Sequence, residues 1–436
     1  MEATVTRRFV LGQAAAGSAA LAATACGAAG QGVASLATEP ATVAFATMTV
    51  PEHDIFRKVG DVFAQKQTKI KLDSWDGGAT DFYVKVAAAL AASAGPDVSF
   101  VTSRQLMGWQ AKGLVMDLTT GLTRRRLKTS DWFPLAAQEW QFGGKQYGVP
   151  QGWGTIVAGI NKSLVAKSGL TLKPDFDATW THDDFVRMLK QIAKVGPDGD
   201  LTVWGLNTWG DWAYFWDFGA EVTNAEGTKC ALNTAQGQAA LQWIYDVSWT
   251  HRIVPRGGTY DKAVGGANMW NTGLQGFNNN GGPTVRSSWP GVLPFDFDIA
   301  YYPIGPAGRH HLLRSDGWVA SRESKKPDGA LDFLAWLGTD GQTEVEKLGG
   351  RQVPAYRPAA EGIFLQGTSP FTRQKWLEAV KTAKLGPRSA AFDDINASVN
   401  THKTNILTQK ESVRDAAAAI EREVNMLLAT SPAAPR

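Results

Sequence analysis

Trp209, Gly210, Asp211 and Trp212 stand in a row, with Trp216 close behind, in a chain that holds 17 tryptophans. An indole offers a broad apolar face and a neighbouring carboxylate accepts hydrogen bonds, so the pair suits a molecule with a C–H face and a hydroxyl edge. That is the chemistry of holding a sugar, and it breaks no bond. Glycine and aspartate beside these rings read as a loop. The competing reading is that the rings are core, where large aromatics mostly end up. Trp270 sits in a Gly/Asn-rich stretch at 265–282 that reads as a loop region. Trp318 ends Asp316-Gly317-Trp318, where glycine would let a ligand approach the backbone and Asp316 would accept from hydroxyls. Trp153 follows Pro150-Gln151-Gly152, which makes Gln151 a candidate beside it. Trp243 and Trp336, by contrast, fall in helical patterns and read as core.

Bond-breaking chemistry finds less support. A secreted glycosidase needs two carboxyl groups, but the pair Asp183-Asp184 is explained by the preference of a helix N-terminus for negative charge. Asp393-Asp394 is the other adjacent pair. The sequence has no G-x-S-x-G elbow, no H-E-x-x-H and no phosphate-binding loop. His310 and His311 are neighbours that regular structure points apart, so they read as exposed loop histidines rather than metal ligands. Cys26 and Cys230 are the only cysteines, too few for a disulfide framework or a structural zinc site, and Cys230 reads as a small core residue. No catalytic residue, metal or cofactor is expected. Lys plus Arg number 44 against 41 Asp plus Glu, which leaves no basic field for nucleic acid.

These residues need elements to hold them, and 436 residues suffice for two domains. The first 30 residues have the zones of an export signal: Arg7 and Arg8, then an apolar run over 9–23 that is too short to span a membrane. Leu21-Ala22-Ala23-Thr24-Ala25-Cys26-Gly27 resembles a lipobox, which implies a signal peptide at 1–25, a lipidated Cys26 and a flexible tether at 26–40. A plain secretory signal with an incidental cysteine is the alternative. Thr6-Arg7-Arg8-Phe9 also resembles the twin-arginine export motif, with Phe9 directly after the pair.

Beyond the tether, residues 41–48 alternate as a strand, and Pro51 opens a helix with Ile55, Val59, Val62 and Phe63 on one face. Residues 69–75 alternate again, Thr80 could cap a helix through Leu90, and 97–101 is a third strand. The β-α-β-α-β-α order predicts an α/β fold with mostly parallel sheets flanked by helices, which bind ligands at the carboxyl ends of strands. Glu52, then Trp75 and Asp76, then Ser103 stand at three such ends; for each, a plain surface role is the rival reading. Later helices are announced by Thr181 with Asp183 and Asp184, by Thr234, and by Ser412 with Asp415.

Eight short motifs then follow in order. They are Ala94-Gly95-Pro96-Asp97-Val98, the run 111–118, Gly144-Lys145-Gln146-Tyr147-Gly148-Val149-Pro150, Ile160-Asn161-Lys162, the helix and turn at 239–255, Tyr302-Pro303-Ile304-Gly305-Pro306 with Asp316-Gly317-Trp318, Lys326-Pro327-Asp328-Gly329-Ala330, and the run 349–355. In this order the chain resembles the family 1 extracellular solute-binding proteins of bacterial ABC importers, which mostly serve sugars. Ile160 departs from the aromatic common there, and Thr102 and Ser103 stand where an aspartate is frequent. The resemblance implies a two-lobed periplasmic-binding-protein-like fold with a hinge, an N-terminal lobe at 41–150 and 312–353, and a C-terminal lobe at 151–311 and 354–430. It implies a monomer that holds a sugar, an oligosaccharide by preference, and delivers it to the permease subunits in the membrane. The place would be the outer face of the cytoplasmic membrane. It also places Trp270 and Trp318 where ligand-stacking aromatics stand, and Arg388 where a late arginine reaches the sugar; a solvated surface arginine is the rival reading. A polyamine or another small solute in the same fold is the alternative ligand, and a glycosidase the alternative activity.

Overall fold

A computed structural model describes residues 35–208, 212–256, 269–367 and 371–431. The export segment with Cys26, and Trp209, lie outside the described residues. In chain order the strands are β1 (Ala41–Thr47), β2 (Ile70–Asp76), β3 (Val98–Thr102), β4 (Gln141–Phe142), β5 (Lys145–Gln146), β6 (Val149–Thr155) and β7 (Ala158–Asn161). There follow β8 (Lys194–Val195), β9 (Leu201–Leu206), β10 (Gln275–Asn278), β11 (Phe297–Ala300), β12 (His311–Ala320), β13 (Val353–Pro354) and β14 (Ala383–Leu385).

Two sheets carry the two lobes. The larger runs β13-β6-β12-β3-β1-β2, with β14 added on β12, and the smaller runs β11-β7-β10-β9-β8. The expected α/β class holds, but the sheets are mixed. β1 is parallel to β2 and β3, β9 to β10, and β12 to β14. β12 enters antiparallel between β3 and β6, and β7 lies antiparallel to both β10 and β11. β12 joins the larger sheet from far along the chain, so alternation along the first hundred residues did not reveal its direction.

Local chemistry explains the elements. The helix Asp54–Lys66 buries Phe56, Val59, Gly60 and Phe63 on one stripe, so Phe56 takes the place expected of Ile55. Gly60 lets that helix lie close on the sheet, for a Cβ there would meet Leu72 Cδ1 at 3.1 Å. The helix His182–Ile192 starts at a capping box between Thr181 and Asp184, Thr234 caps Ala235–Ser248, and Ser412 caps Val413–Thr430. The helix Phe82–Ala91 starts after Asp81, a left-handed residue, rather than at Thr80.

Four expectations need correction. The stretch 265–282 is not all loop: β10 is the central strand of the smaller sheet, where Gly276 lets it pass close to Ile192, and Gly281 beyond the strand lies against the Val157 carbonyl. His311 is fully buried on β12, with Nδ1 2.9 Å from Thr382 Oγ1, and burial lowers its pKa to about 3. His310 is half-buried and its backbone N–H donates to Asp217 at 2.8 Å. Finally, the tether is already fixed by residue 35: Ser35 Oγ and the N–H groups of Leu36 and Ala37 all donate to Asp332. Among the described residues, no helix is long and apolar enough to cross a membrane.

Candidate functional site

The strands β1 and β3 point their carboxyl ends the same way, and the middle of β12 lies beside the end of β3, with Asp316 paired to Thr102. Ser103 is the first residue of the helix that leaves β3, and Arg314 lies on the early part of β12. Between them stands Glu139, just past the helix Pro134–Gln138. Ser103 Oγ donates to Glu139 Oε1 at 3.0 Å, and Ser315 Oγ donates to Oε2. Ser315 is fixed in turn by the Trp140 indole N–H, 2.9 Å away.

Ser103 and Glu139 line a small recess of about 30 Å³, together with Arg104, Arg314, Arg388 and Phe392, and Ser315 and Trp140 support it from behind. Burial pushes the Glu139 pKa up to about 7, although the two serine hydroxyls and the charges of Arg314 and Arg388 all pull it down. The desolvation is decisive because hydroxyls, not guanidinium groups, occupy both carboxyl oxygens. Arg388 is half-buried, donates from Nη2 to the Gln141 carbonyl, and lies 4.7 Å from the centre of the Phe142 ring. Burial lowers its pKa, against the pull of Glu139.

Along Leu385, Gly386, Pro387 and Arg388 the recess continues into an outer cleft of about 580 Å³. Its far wall comes from the chain after β9: Trp212, Trp216 and the turn at 221–227. Trp216 donates from its indole N–H to Glu221 at 2.7 Å, and Lys384 pairs with Glu221 at 3.0 Å. Trp212 is only 3 % exposed and rests 5.7 Å from Phe392, so it offers an edge rather than a face. The volume is that of a small-molecule site, and indole, carboxyl, hydroxyl and guanidinium groups meet there.

Of the residues singled out in the sequence, Ser103, Trp212 and Arg388 come together here. Glu52 is exposed in the turn after β1; Trp75 is half-buried and Asp76 exposed at the end of β2, where Asp76 accepts from the Gly78 N–H at 2.9 Å. None of the three lines the recess or the cleft. Trp153, Trp270 and Trp318 are core residues: Trp153 meets Phe133 edge-on at 5.0 Å, Trp270 lies 4.9 Å from Trp289, and Trp318 sits among Phe45, Phe56 and Phe100. Gln151 is buried on β6. Asp316 is buried too, held by Arg351 at 2.5 Å and Gln352 at 3.0 Å. Trp216, which the sequence places in the same cluster as Trp212, lines the cleft as well, whereas Glu139, Arg104 and Arg314 carry no mark in the sequence. For Glu139 no local signal exists, since its partners lie 36 and 176 residues away.

A family model of bacterial extracellular solute-binding proteins matches residues 50–344. The chain belongs to that family. A comparison with curated protein sequences gives no significant match. Among solved structures, this solute-binding protein is similar to the ABC substrate-binding protein of Listeria monocytogenes in complex with cycloalternan, with TM-score 0.78 and 17% identity over 90% of this chain and 100% of that one. The cyclic α-maltosyl-1,6-maltose binding protein of Arthrobacter globiformis gives 0.74 and 21% over 89% and 99%. The GacH receptor of Streptomyces glaucescens, solved unliganded and with acarbose, gives 0.74 and 19% over 90% and 100%. At such identities the likeness establishes the fold, which is that of the two-lobed binding proteins.

Proposed function

We propose that this protein is the extracytoplasmic solute-binding subunit of an ABC importer, and that it captures an oligosaccharide in the cleft and hands it to the membrane permease. The observation that carries the reading is the position of Arg388, which lines both the polar recess and the indole-walled cleft. Ser103, Glu139 and Arg388 can take hydroxyls while the edges of Trp212 and Trp216 meet C–H groups. The ligands of the three similar structures, cycloalternan, a cyclic maltosyl-maltose and acarbose, support a saccharide. Glu52, Trp75 and Asp76 would serve the rim at the ends of β1 and β2.

The lobes are taken as 41–150 with 312–353, and 151–311 with 354–430, with β6 and β14 as strands that cross between them. Closure about those crossings would seal the ligand, and no bond would break: Glu139 is the one carboxyl group lining the recess, where a glycosidase uses a pair, and in the cleft Glu221 is held by Lys384 and the Trp216 indole. A polyamine would meet three arginines there, which disfavours that alternative. Residues 1–25 are taken as an export signal and Cys26 as the lipid anchor of a monomer on the outer face of the membrane; mass spectrometry of the native protein decides this by the presence of acyl mass at Cys26.

A thermal-shift screen of the mature protein against oligosaccharides, polyols and polyamines, followed by calorimetry, tests the assignment. A saccharide should raise the melting temperature and bind one to one. Tight binding of a polyamine with no saccharide response, or release of free monosaccharide from an oligosaccharide, would overturn it.

A further inference from the structure

Three elements that are far apart in sequence each bring a guanidinium to the recess: Arg104 from the helix after β3, Arg314 from β12, and Arg388 from the segment after β14. One carboxyl group, Glu139, stands among them. Arg104 also lies 3.8 Å from the exposed carboxylate of Asp393. In the outer cleft Lys384 and Glu221 cancel each other, and Glu226 adds one negative charge. The arginines are not simply counter-ions of Glu139, because both of its oxygens accept from serine hydroxyls. Arg388 spends one N–H on the Gln141 carbonyl, out of the five that a guanidinium carries.

Resting on the reading of the cleft as a saccharide site, we propose that the recess is a carboxylate-reading subsite and that the preferred ligand is an oligosaccharide bearing a uronic acid residue. A planar carboxylate matches the arginine fork bidentately, which a neutral hydroxyl does not. The recess has room on the order of one or two water-sized groups, enough for a carboxylate's two oxygens at the end of a chain of rings lying in the larger cleft. Glu139 fits this arrangement in its protonated form. Its carboxyl, already raised to about 7 by burial, is pushed higher by an incoming anion. Binding of the acidic ligand therefore takes up a proton, and affinity falls as pH rises through about 7 and Glu139 ionises. A neutral ligand has no such linkage.

The test is calorimetry on the full mature protein with glucose oligosaccharides of several linkages in three matched forms: neutral, ending in glucuronic acid, and ending in a 6-phosphate. The uronic acid form should bind at least about tenfold tighter than the neutral one and weaken with salt. Its binding heat should vary with the ionisation heat of the buffer, with proton uptake. The more exposed Arg104→Gln should remove the preference for the acid while leaving the melting temperature and neutral binding close to the parent, and Arg388→Gln should weaken both forms, the acid by the larger factor. Neutral and acidic forms binding alike would overturn the proposal and leave the saccharide reading standing. A phosphate form that binds tightest would overturn it in favour of a phosphosugar. No response to any acidic member overturns it too, and a polyamine response instead would sink both readings.

Discussion

Ser103 Oγ donates to Glu139 Oε1 at 3.0 Å, and through that bond the end of β3 reaches a carboxyl group whose pKa stands near 7. The folded protein keeps a proton that the unfolded chain loses at the ordinary glutamate value. Between that value and about 7, the native state binds more protons than the unfolded one, so stability falls as pH rises across this window and levels off above it. The total is at most roughly 3 kcal/mol, less whatever the partial exposure of Glu139 screens.

Glu139→Gln removes the titration and keeps a polar side chain of the same size. Urea unfolding at about pH 5 and about pH 8 should show a clear loss of parent stability at the higher pH and a much smaller one in the variant. Equal losses in both would place the ionisation on another group.

Arg286 and Glu346 make a second buried link. Arg286 Nη1 and Nη2 donate to the two carboxylate oxygens at 3.0 and 2.9 Å, and Nη2 also donates to the Gln352 carbonyl at 2.9 Å. Arg286 follows β10 of the smaller sheet, whereas Glu346 lies on the helix Asp340–Lys347, which packs against Asp54–Lys66 on the larger. Glu346→Gln leaves a buried guanidinium without its anion and should cost about 3–5 kcal/mol. The double replacement Arg286→Met with Glu346→Leu should cost clearly less than the sum of the single changes, because no orphan charge remains. Chemical denaturation of the three variants checks this, and simple additivity would mean that the two side chains are not coupled.

The tryptophans divide into two classes by whether binding is lost along with stability. Trp318→Ala, like Trp153→Ala, opens a void in a closed core and should destabilise by about 3–5 kcal/mol. Trp216→Ala, at the cleft but only 3 % exposed, should lose stability too and in addition weaken saccharide binding by on the order of 1–3 kcal/mol, by analogy with stacking on aromatic platforms. Melting temperature and calorimetry together separate the two. Unchanged affinity in a Trp216 variant that still folds would remove it from the site.

That division was the least legible part of the sequence, and one glycine shows why. Gly317 beside Trp318 reads as a gap for a ligand, yet a Cβ there would meet Trp140 Cη2 at 2.7 Å. The gap is filled by another tryptophan, 177 positions away in the chain. Trp243 and Trp336, taken as core from their helical pattern, are only half-buried. A helix has a solvent side, whereas an interior strand such as β12 between β3 and β6 has none. Local rules worked where local chemistry decides: the Thr181–Asp184 box, the Ser412 cap and the alternation of β1 all read directly from neighbouring residues. The recess could not be read that way, since Ser103, Glu139, Arg314 and Arg388 meet only after the sheet has formed.

Asp332 receives the end of the tether. Its carboxylate accepts from Ser35 Oγ at 2.6 Å, from the N–H of Leu36 at 3.1 Å, from that of Ala37 at 2.9 Å and from Arg125 Nε at 2.5 Å. Burial raises its pKa, but these four donors together outweigh burial and hold it below the usual carboxylate range. Such a group stabilises the fold above the ordinary aspartate value and loses that contribution as pH falls through the lowered one. Asp332→Ala should therefore cost about 2–3 kcal/mol near neutral pH and less in acid; Arg125 keeps its bonds to Asp328 and to the Gly121 carbonyl, which limits the loss. The sharper readout is local. With its acceptor gone, the segment at 35–40 should become open to proteolysis ahead of β1, at temperatures where the rest of the domain resists. Mass spectrometry of the digest locates the cut. A variant that stays protected there would show that Ala37, buried against the core, holds the segment without Asp332.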